Sequence, residues 1–295
     1  MAALVIAAFL VTVAAAPPPA GSLSWLPADT VAVSGAPRDQ VSQLKWLRDT
    51  AKLFPALRDR PLPGCWDRVT RPIVASYQVW TGAPDDEAAV LAQGPVDRAR
   101  AESCIAETSR TAQLPLQMTR TGAVTQFDAE PFGRTYVGWT SSWVVWHPKR
   151  ARVEALLAAL RNQGTISPAL AAGVARVDRS ATLWGADTRD YSRPVTGVPS
   201  RSWTLAARAA GSTIVMRVSF EYASADDARR AAAAVAAART DPQLPSDLQA
   251  LAGAAQPSVR DRFVDLQLDA KVLFDERTLP ALQSWLERKR AGTAK

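Results

Sequence analysis

The chain has 295 residues, of which 47% are hydrophobic and 21% are charged, and this balance excludes a disordered or fibrous protein. Its formal net charge is +7, but the 35 basic residues are dispersed among 28 acidic ones. A nucleic-acid-binding protein concentrates its basic charge on one face. We therefore expect no nucleic-acid partner, and only weak association with an anionic membrane surface.

Residues 1–22 predict a signal peptide or an N-terminal anchor. Residues 2–16 are almost all apolar and run into a Pro-rich break, and Ala14 and Ala16 form the small-residue pattern of a cleavage site. No basic residue precedes the run, which is unusual for a signal peptide, so an uncleaved anchor is the alternative. Either interpretation predicts an exported protein of the periplasm or cell envelope.

The first half of the mature chain, residues 23–165, alternates β-branched runs with amphipathic stretches. Period-2 patterns bounded by turn residues predict strands at 30–33, 71–80, 88–94, 122–129, 134–139 and 143–146. Apolar residues at helical spacing predict helices at 38–54, 95–110 and 149–163.

The second half, residues 166–295, also alternates strand-like and helix-like patterns. Strands are predicted at 179–187, 202–210, 213–222, 262–268 and 271–274, and helices at 224–239 and 279–290. Ser224 and Asp227 have the spacing of a helix-capping pair at the start of the first of these helices.

Three pairs of segments match at nearly one offset, between 128 and 130 residues: 96–100 with 225–229, 134–146 with 262–274, and 73–80 with 203–210. We interpret this as an internal duplication. The predicted fold class is α+β, with two similar halves, each an antiparallel sheet with helices packed on one face.

Two cysteines, Cys65 and Cys104, lie in the first half. An exported protein lives where disulfides persist, so a Cys65–Cys104 disulfide is the leading prediction. Two buried thiols and a catalytic cysteine are the alternatives. The spacing does not fit a zinc site, which needs further Cys or His ligands.

His147 is the only histidine, so a metal site built on histidines has no second ligand. It lies where a predicted strand ends and a helix begins, and we interpret it as a polar junction residue. No nucleophile elbow, P-loop, dinucleotide-binding glycine motif or zinc-protease motif occurs. The sequence predicts no catalytic residue, metal site or cofactor; enzymatic activity is left uncertain and is disfavoured.

Three tryptophans crowd one predicted hairpin: Trp139, Trp143 and Trp146. Trp143 and Trp146 are three residues apart, so in a regular strand they face opposite sides. Burial in the core is the first interpretation. A surface that binds a ligand or a partner protein is the second, because aromatic side chains are common in such sites.

The chain resembles a type of predicted exported protein from GC-rich Gram-negative bacteria. The resemblance is carried by the motif "LPADTVAV" at 26–33, "GCWDRV" at 64–69, the Asp97–Cys104 spacing, the strand and helix of 143–160, and "VDRSATLW" at 177–184. It implies that the two cysteines belong together and that the protein works outside the cytoplasm, and it implies no activity.

The function expected from all of this is a non-enzymatic binding or structural module of the envelope or periplasm. The alternative is an envelope carrier that holds a lipid or other apolar ligand in a groove between sheet and helices. The partner is then an unidentified envelope protein or an apolar ligand.

Overall fold

The computed structural model describes residues 23, 25–37, 64–82, 88–111, 113–129, 133–162, 165–210, 213–238, 245–269, 281 and 284–285. The chain divides into two compact units, Met1–Ser167 and Pro168–Lys295, while the sequence placed the boundary between residues 165 and 166. The predicted leader, the helix at 38–54 and the strand at 271–274 lie outside the described residues, as does most of the helix at 279–290.

Unit 1 is built on an antiparallel sheet with the strand order β1-β2-β3-β7-β6-β5-β4. Its strands are β1 (Thr30–Pro37), β2 (Ala75–Thr81), β3 (Ala89–Gln93), β4 (Leu116–Thr121), β5 (Val124–Ala129), β6 (Gly133–Trp139) and β7 (Trp143–His147). Its described helices are α1 (Cys65–Thr70), α2 (Arg98–Thr111) and α3 (Arg150–Arg161).

Helices cover both faces of the unit 1 sheet. Trp139 of β6 belongs to the same buried cluster as Ile105 of α2. Its neighbour Gly138 faces the other way, because successive strand residues alternate. A Cβ on Gly138 would lie only 2.6 Å from Val153 Cγ1 and 2.8 Å from Leu157 Cδ1, so α3 packs closely on this second face.

Unit 2 is also built on antiparallel strands, in the order β8-β9-β10-β12-β11. Its strands are β8 (Leu183–Asp187), β9 (Ser202–Ala210), β10 (Thr213–Glu221), β11 (Gln256–Arg260) and β12 (Phe263–Asp269). Its described helices are α4 (Pro168–Arg176), α5 (Arg193–Thr196), α6 (Ala225–Ala238) and α7 (Ser246–Ala254).

The unit 2 sheet also has helices on both faces. Phe220 packs against a buried cluster that includes Ala228 of α6. The preceding residue of β10, Ser219, points to the opposite face and pairs with Thr204. There a Cβ on Gly173 of α4 would lie 3.8 Å from Thr204 Cγ2. The α+β class and the antiparallel sheets are as predicted, but the described helices of each unit lie on two faces rather than one.

The two units share the first part of their order. Three consecutive strands lie side by side in each, β1-β2-β3 and β8-β9-β10, and a 14-residue helix follows the third strand, α2 or α6. The units then differ in which strand pairs next. β3 pairs with β7, and β10 pairs with β12.

Six described elements have no counterpart in the sequence prediction: α1, β4, α4, α5, α7 and β11. Most are short, and short elements carry little periodicity. In β4 every residue after Leu116 is exposed, so no alternation between apolar and polar residues marks it as a strand.

Candidate binding surface

Three aromatic rings meet on the α3 side of the unit 1 sheet: Trp25, Tyr77 and Trp143. The ring centroids lie 4.8 Å apart for Trp25 and Trp143, 5.1 Å for Trp25 and Tyr77, and 5.8 Å for Tyr77 and Trp143. Tyr77 is buried, whereas both tryptophans are partly exposed. We call this trio the aromatic surface. Rings at such distances attract one another beyond the burial of their area.

The backbone around Trp143 is held by a tight turn between β6 and β7. Thr140 Oγ1 accepts hydrogen bonds from the Ser142 and Trp143 backbone N–H groups at 3.2 and 2.9 Å. The Gly94 N–H in turn donates to the Ser142 carbonyl at 2.8 Å. Gly94 has φ +152°, and a Cβ there would overlap the Pro72 carbonyl oxygen, so only glycine fits. Trp143 is therefore presented from a rigid backbone.

The other two tryptophans proposed for a surface lie in the core. Trp139 is 8% exposed and Trp146 is 4% exposed, and both belong to the cluster beneath α1 and α2. Trp143 and Trp146 face opposite sides of the sheet, as the three-residue spacing predicts. Of the three predicted residues, only Trp143 reaches the surface.

The indole N–H groups in this core differ in their partners. Trp66 Nε1 donates to Thr108 Oγ1 at 2.8 Å, and Trp139 Nε1 donates to Thr125 Oγ1 at 3.0 Å. Trp146 Nε1 is buried and has no hydrogen-bond partner in the described part of the chain. A buried donor without a partner costs free energy, so Trp146 is an unusual component of this core.

His147 is a junction residue, as predicted. It is 2% exposed, and its Nδ1 accepts the Lys149 backbone N–H at 2.9 Å, just before α3 begins. No side chain caps α3 at Lys149, so His147 satisfies a backbone donor close to that helix start. Among the described residues, no group of three His, Cys, Asp or Glu side chains is placed to hold a metal ion.

Cys65 and Cys104 form a disulfide, with an S–S distance of 2.05 Å and Cα atoms 5.7 Å apart. The bond joins α1 to α2, which the Trp66–Thr108 hydrogen bond also links. Thr108 Oγ1 donates onward to the Cys104 carbonyl at 2.7 Å. The two helices therefore cover their face of the sheet as one tethered pair.

Glu102 of α2 is a buried carboxylate with several donors. Thr125 Oγ1 lies 2.5 Å from Oε1, Arg98 Nε lies 2.9 Å from Oε1, and Arg120 Nη2 lies 2.5 Å from Oε2. Burial by itself raises the pKa of Glu102, but the hydrogen bonds from Thr125 and Arg98 and the ion pair with Arg120 together outweigh it and hold the pKa below its ordinary value. The carboxylate is ionised at neutral pH.

Unit 2 contains a comparable arrangement around Glu221. Arg176 Nη2 lies 2.7 Å from one carboxylate oxygen and Arg262 Nη2 lies 2.9 Å from the other, and Ser202 Oγ donates at 2.9 Å. Both guanidinium groups also lie over the Phe263 ring, with Arg176 Cζ 5.1 Å and Arg262 Cζ 5.7 Å from its centroid. These contacts join α4 to β10 and β12 and satisfy the charge of Glu221.

In unit 2, the carboxyl groups of Asp265 and Asp190 have lowered pKa values. Burial raises the pKa of Asp265, but hydrogen bonds from Ser219 and Arg217 bring it below its ordinary value. Burial likewise raises the pKa of Asp190, but the backbone N–H groups of Ser200 and Arg193 outweigh that effect. A lowered pKa keeps a carboxylate ionised at neutral pH, which suits ion pairing rather than proton donation.

Sequence reasoning missed Trp25 and Tyr77. Trp25 follows the serine-containing stretch 21–24 and Tyr77 lies three residues before Trp80, and nothing local links either of them to Trp143. Tyr77 of β2 pairs across the sheet with Leu91, and Trp143 of β7 pairs with Gln93, so β3 lies between the two strands that carry these rings. Only the order of the strands brings these side chains together.

No helix in the described part of the chain combines the length and the apolar character needed to cross a membrane.

No protein-family model matches the chain, and no curated protein does. Two solved structures of TP0453 are similar to it. Crystal form III aligns with a TM-score of 0.53 at 11% identity, over 88% of this chain and 98% of that chain. Crystal form I aligns with a TM-score of 0.51 at 13% identity, over 90% and 98%. At these identities the similarity shows the fold alone.

Proposed function

We propose that this chain is a non-enzymatic, exported binding module of the bacterial envelope or periplasm, and that it engages a partner protein through the aromatic surface. The observation that carries the proposal is the clustering of Trp25 and Trp143, both partly exposed, on the buried Tyr77. Tryptophan and tyrosine are enriched where proteins bind one another, because they bury a large area with little loss of conformational freedom.

Export is supported by the disulfide between Cys65 and Cys104, because such bonds persist in oxidising compartments and are rare in the bacterial cytosol. The apolar stretch at 2–16 and the resemblance to predicted exported proteins point the same way. We assign the protein to the periplasm or cell envelope, without a nucleic-acid partner and with weak attraction to anionic membrane surfaces.

We also propose that the two units arose by duplication. The support is the shared order of three neighbouring strands and a 14-residue helix, together with the three sequence segments that match at offsets between 128 and 130 residues. Experimental coordinates of both units in which these strands and helices fail to superpose in order would count against a common origin.

A photoreactive amino acid placed at position 143 tests the partner proposal directly. The protein is produced in its own cell envelope and irradiated, and Ser103 is the matched control because it is exposed on α2, on the opposite face of the sheet. We expect a discrete adduct from position 143 and none from position 103. Equal adducts from both positions, or none from either, would contradict a partner at the aromatic surface.

The alternative function is a carrier of an apolar ligand, and Trp146 favours it. Its buried indole N–H has no partner among the described residues of the unit 1 core, and a ligand with a hydrogen-bond acceptor would satisfy such a group. Native mass spectrometry of protein purified gently from the envelope fraction separates the two functions. A reproducible extra mass that is lost on denaturation supports the carrier, and a chain without added mass supports the partner-binding module.

A further inference from the structure

β4 is exposed along most of its length. After Leu116, which is half-buried, each residue from Gln117 to Thr121 is exposed. β5 is the only described strand that pairs with β4, so the far side of β4 ends the sheet of unit 1 among the described residues. An edge strand with available backbone groups is a template for pairing with another strand.

The hydrogen-bond pattern shows which backbone groups of β4 point outward. The Trp139 N–H donates to the Ala123 carbonyl, so Val124 and Gly138 form a non-hydrogen-bonded pair between β5 and β6. The backbone groups of Val124 therefore point toward β4, where its partner is Thr121. Because hydrogen-bonded and non-hydrogen-bonded pairs alternate, the N–H and C=O groups of Leu116, Met118 and Arg120 point away from β5.

The composition and register of β4 permit pairing along this edge. Its register with β5 is continuous from Leu116 to Thr121, without a bulge, and the strand contains no proline. Its single charged side chain, Arg120, forms an ion pair with Glu102 at 2.5 Å. β11, at the other end of the strand order, is different: it contains Pro257, and the described counterion of its Arg260, Asp265, lies 3.9 Å away.

We propose that β4 pairs antiparallel with β4 of a second copy of this chain, with Met118 at the two-fold axis. In this register Leu116 lies opposite Arg120 of the second copy, and Gln117 lies opposite its Thr119. The outward groups of Leu116, Met118 and Arg120 then form about six backbone hydrogen bonds. The register matches the strand to itself without placing two arginines opposite each other, and this self-complementarity favours a second copy over an unrelated strand.

Met118 adds an apolar contact at the axis. It is 38% exposed, which is high for a methionine, and in the proposed pair it meets the Met118 side chain of the second copy. Arg120 stays bound to Glu102 in its own copy, so β4 is held against α2 before pairing and little order is lost on association. This surface is separate from the aromatic surface and does not depend on the proposed function.

Cysteine scanning of the oxidised full-length chain tests the register. Residues opposite each other in a hydrogen-bonded pair have Cα atoms about 5.5 Å apart, within disulfide range. We expect Met118→Cys to form a disulfide-linked dimer on mild oxidation. Gln117→Cys and Thr119→Cys are the matched controls, because each lies roughly 7–8 Å from its own copy across the axis and cannot be bridged. Equal crosslinking at all three positions would overturn the proposal.

Sedimentation equilibrium of the unmodified chain tests the association itself. The interface is small, so we expect a dissociation constant in the micromolar range. Met118→Lys places two like charges at the axis, and we expect it to weaken the dimer at least about tenfold. At protein concentrations well below the dissociation constant of the dimer, its melting temperature should match that of the unmodified chain, because Met118 is exposed in the monomer. A chain that stays monomeric at about 100 μM would overturn the proposal, even if it binds other proteins.

Discussion

Arg120 Nη2 lies 2.5 Å from Glu102 Oε2, and this contact joins an exposed edge strand to a buried helical carboxylate. Glu102 is 1% exposed, whereas the Arg120 side chain is 62% exposed. Arg98 and Thr125 complete the shell of donors, so the charge of Glu102 is satisfied by groups from α2, β4 and β5. The same network holds the β4–β5 hairpin against α2.

Glu102→Gln should destabilise the protein by about 2 kcal/mol at neutral pH, because it removes charge-assisted hydrogen bonds from a buried site. The pKa of Glu102 is lowered in the folded protein. The stabilisation that the ionised Glu102 carboxylate provides is therefore complete at pH values above its pKa in the unfolded chain, near 4.5. It is lost as the pH falls through the lower pKa of the folded protein. Urea titrations from pH 7 to pH 3 measure this, and the variant and the unmodified chain should converge at the acidic end.

Glu107→Gln is the control for that experiment. Glu107 lies on the same helix but is exposed, so we expect a change within about 0.5 kcal/mol at every pH. An equal loss of stability in both variants would show that the network around Glu102 contributes nothing specific.

Replacing both Cys65 and Cys104 by alanine should lower the free energy of unfolding by about 2–4 kcal/mol. The disulfide closes a loop between residues 39 positions apart, and without it the unfolded chain has more conformational entropy. Chemical denaturation of the double variant and of the unmodified chain measures the difference. Reductant should destabilise the unmodified chain and leave the variant unchanged. Alkylation of both thiols in the native, unreduced protein would contradict the disulfide.

Gly138→Ala should cost about 1–3 kcal/mol, because the new methyl group meets the buried side chains of Val153 and Leu157. Thermal unfolding is the measurement. Gly64→Ala is the matched control: Gly64 has φ −61°, and a Cβ there would have no described neighbour within 4 Å, so we expect almost no change. A neutral Gly138→Ala variant would show that α3 does not pack closely on this face.

Trp139→Phe should be more destabilising than Trp146→Phe by about 1 kcal/mol. Both changes remove the same indole volume from the same core cluster. Only the first removes a hydrogen bond and leaves Thr125 Oγ1 without its indole donor, whereas the second removes an N–H that has no partner among the described residues. Equilibrium unfolding in urea measures both variants, and the reverse ranking would mean that Trp146 Nε1 has a partner in solution.

Much of the fold follows from local pattern. The sequence predicts α6 close to its observed bounds, and Ser224 Oγ accepts the Asp227 N–H at 3.1 Å as the capping spacing indicates. It predicts β9 over the observed residues, and it predicts that Trp143 and Trp146 face opposite sides of their strand. The disulfide joins the only two cysteines present. These features depend on residues that are close in the chain or unique in it.

The order of the amino acids was enough to predict the α+β class, most of the strands and helices, the junction role of His147 and the pairing of the cysteines. Other features depend on contacts between distant segments. Trp25 and Tyr77 join Trp143 because β3 pairs with both β2 and β7, and β7 lies some fifty residues further along the chain. The exposed strand β4 is defined by its pairing with β5, and the helices on the second face of each sheet by close packing at Gly138 and Gly173. The local pattern of apolar and polar residues predicts which side chains are buried. Which of them contact one another depends on the packing of segments that are distant in sequence.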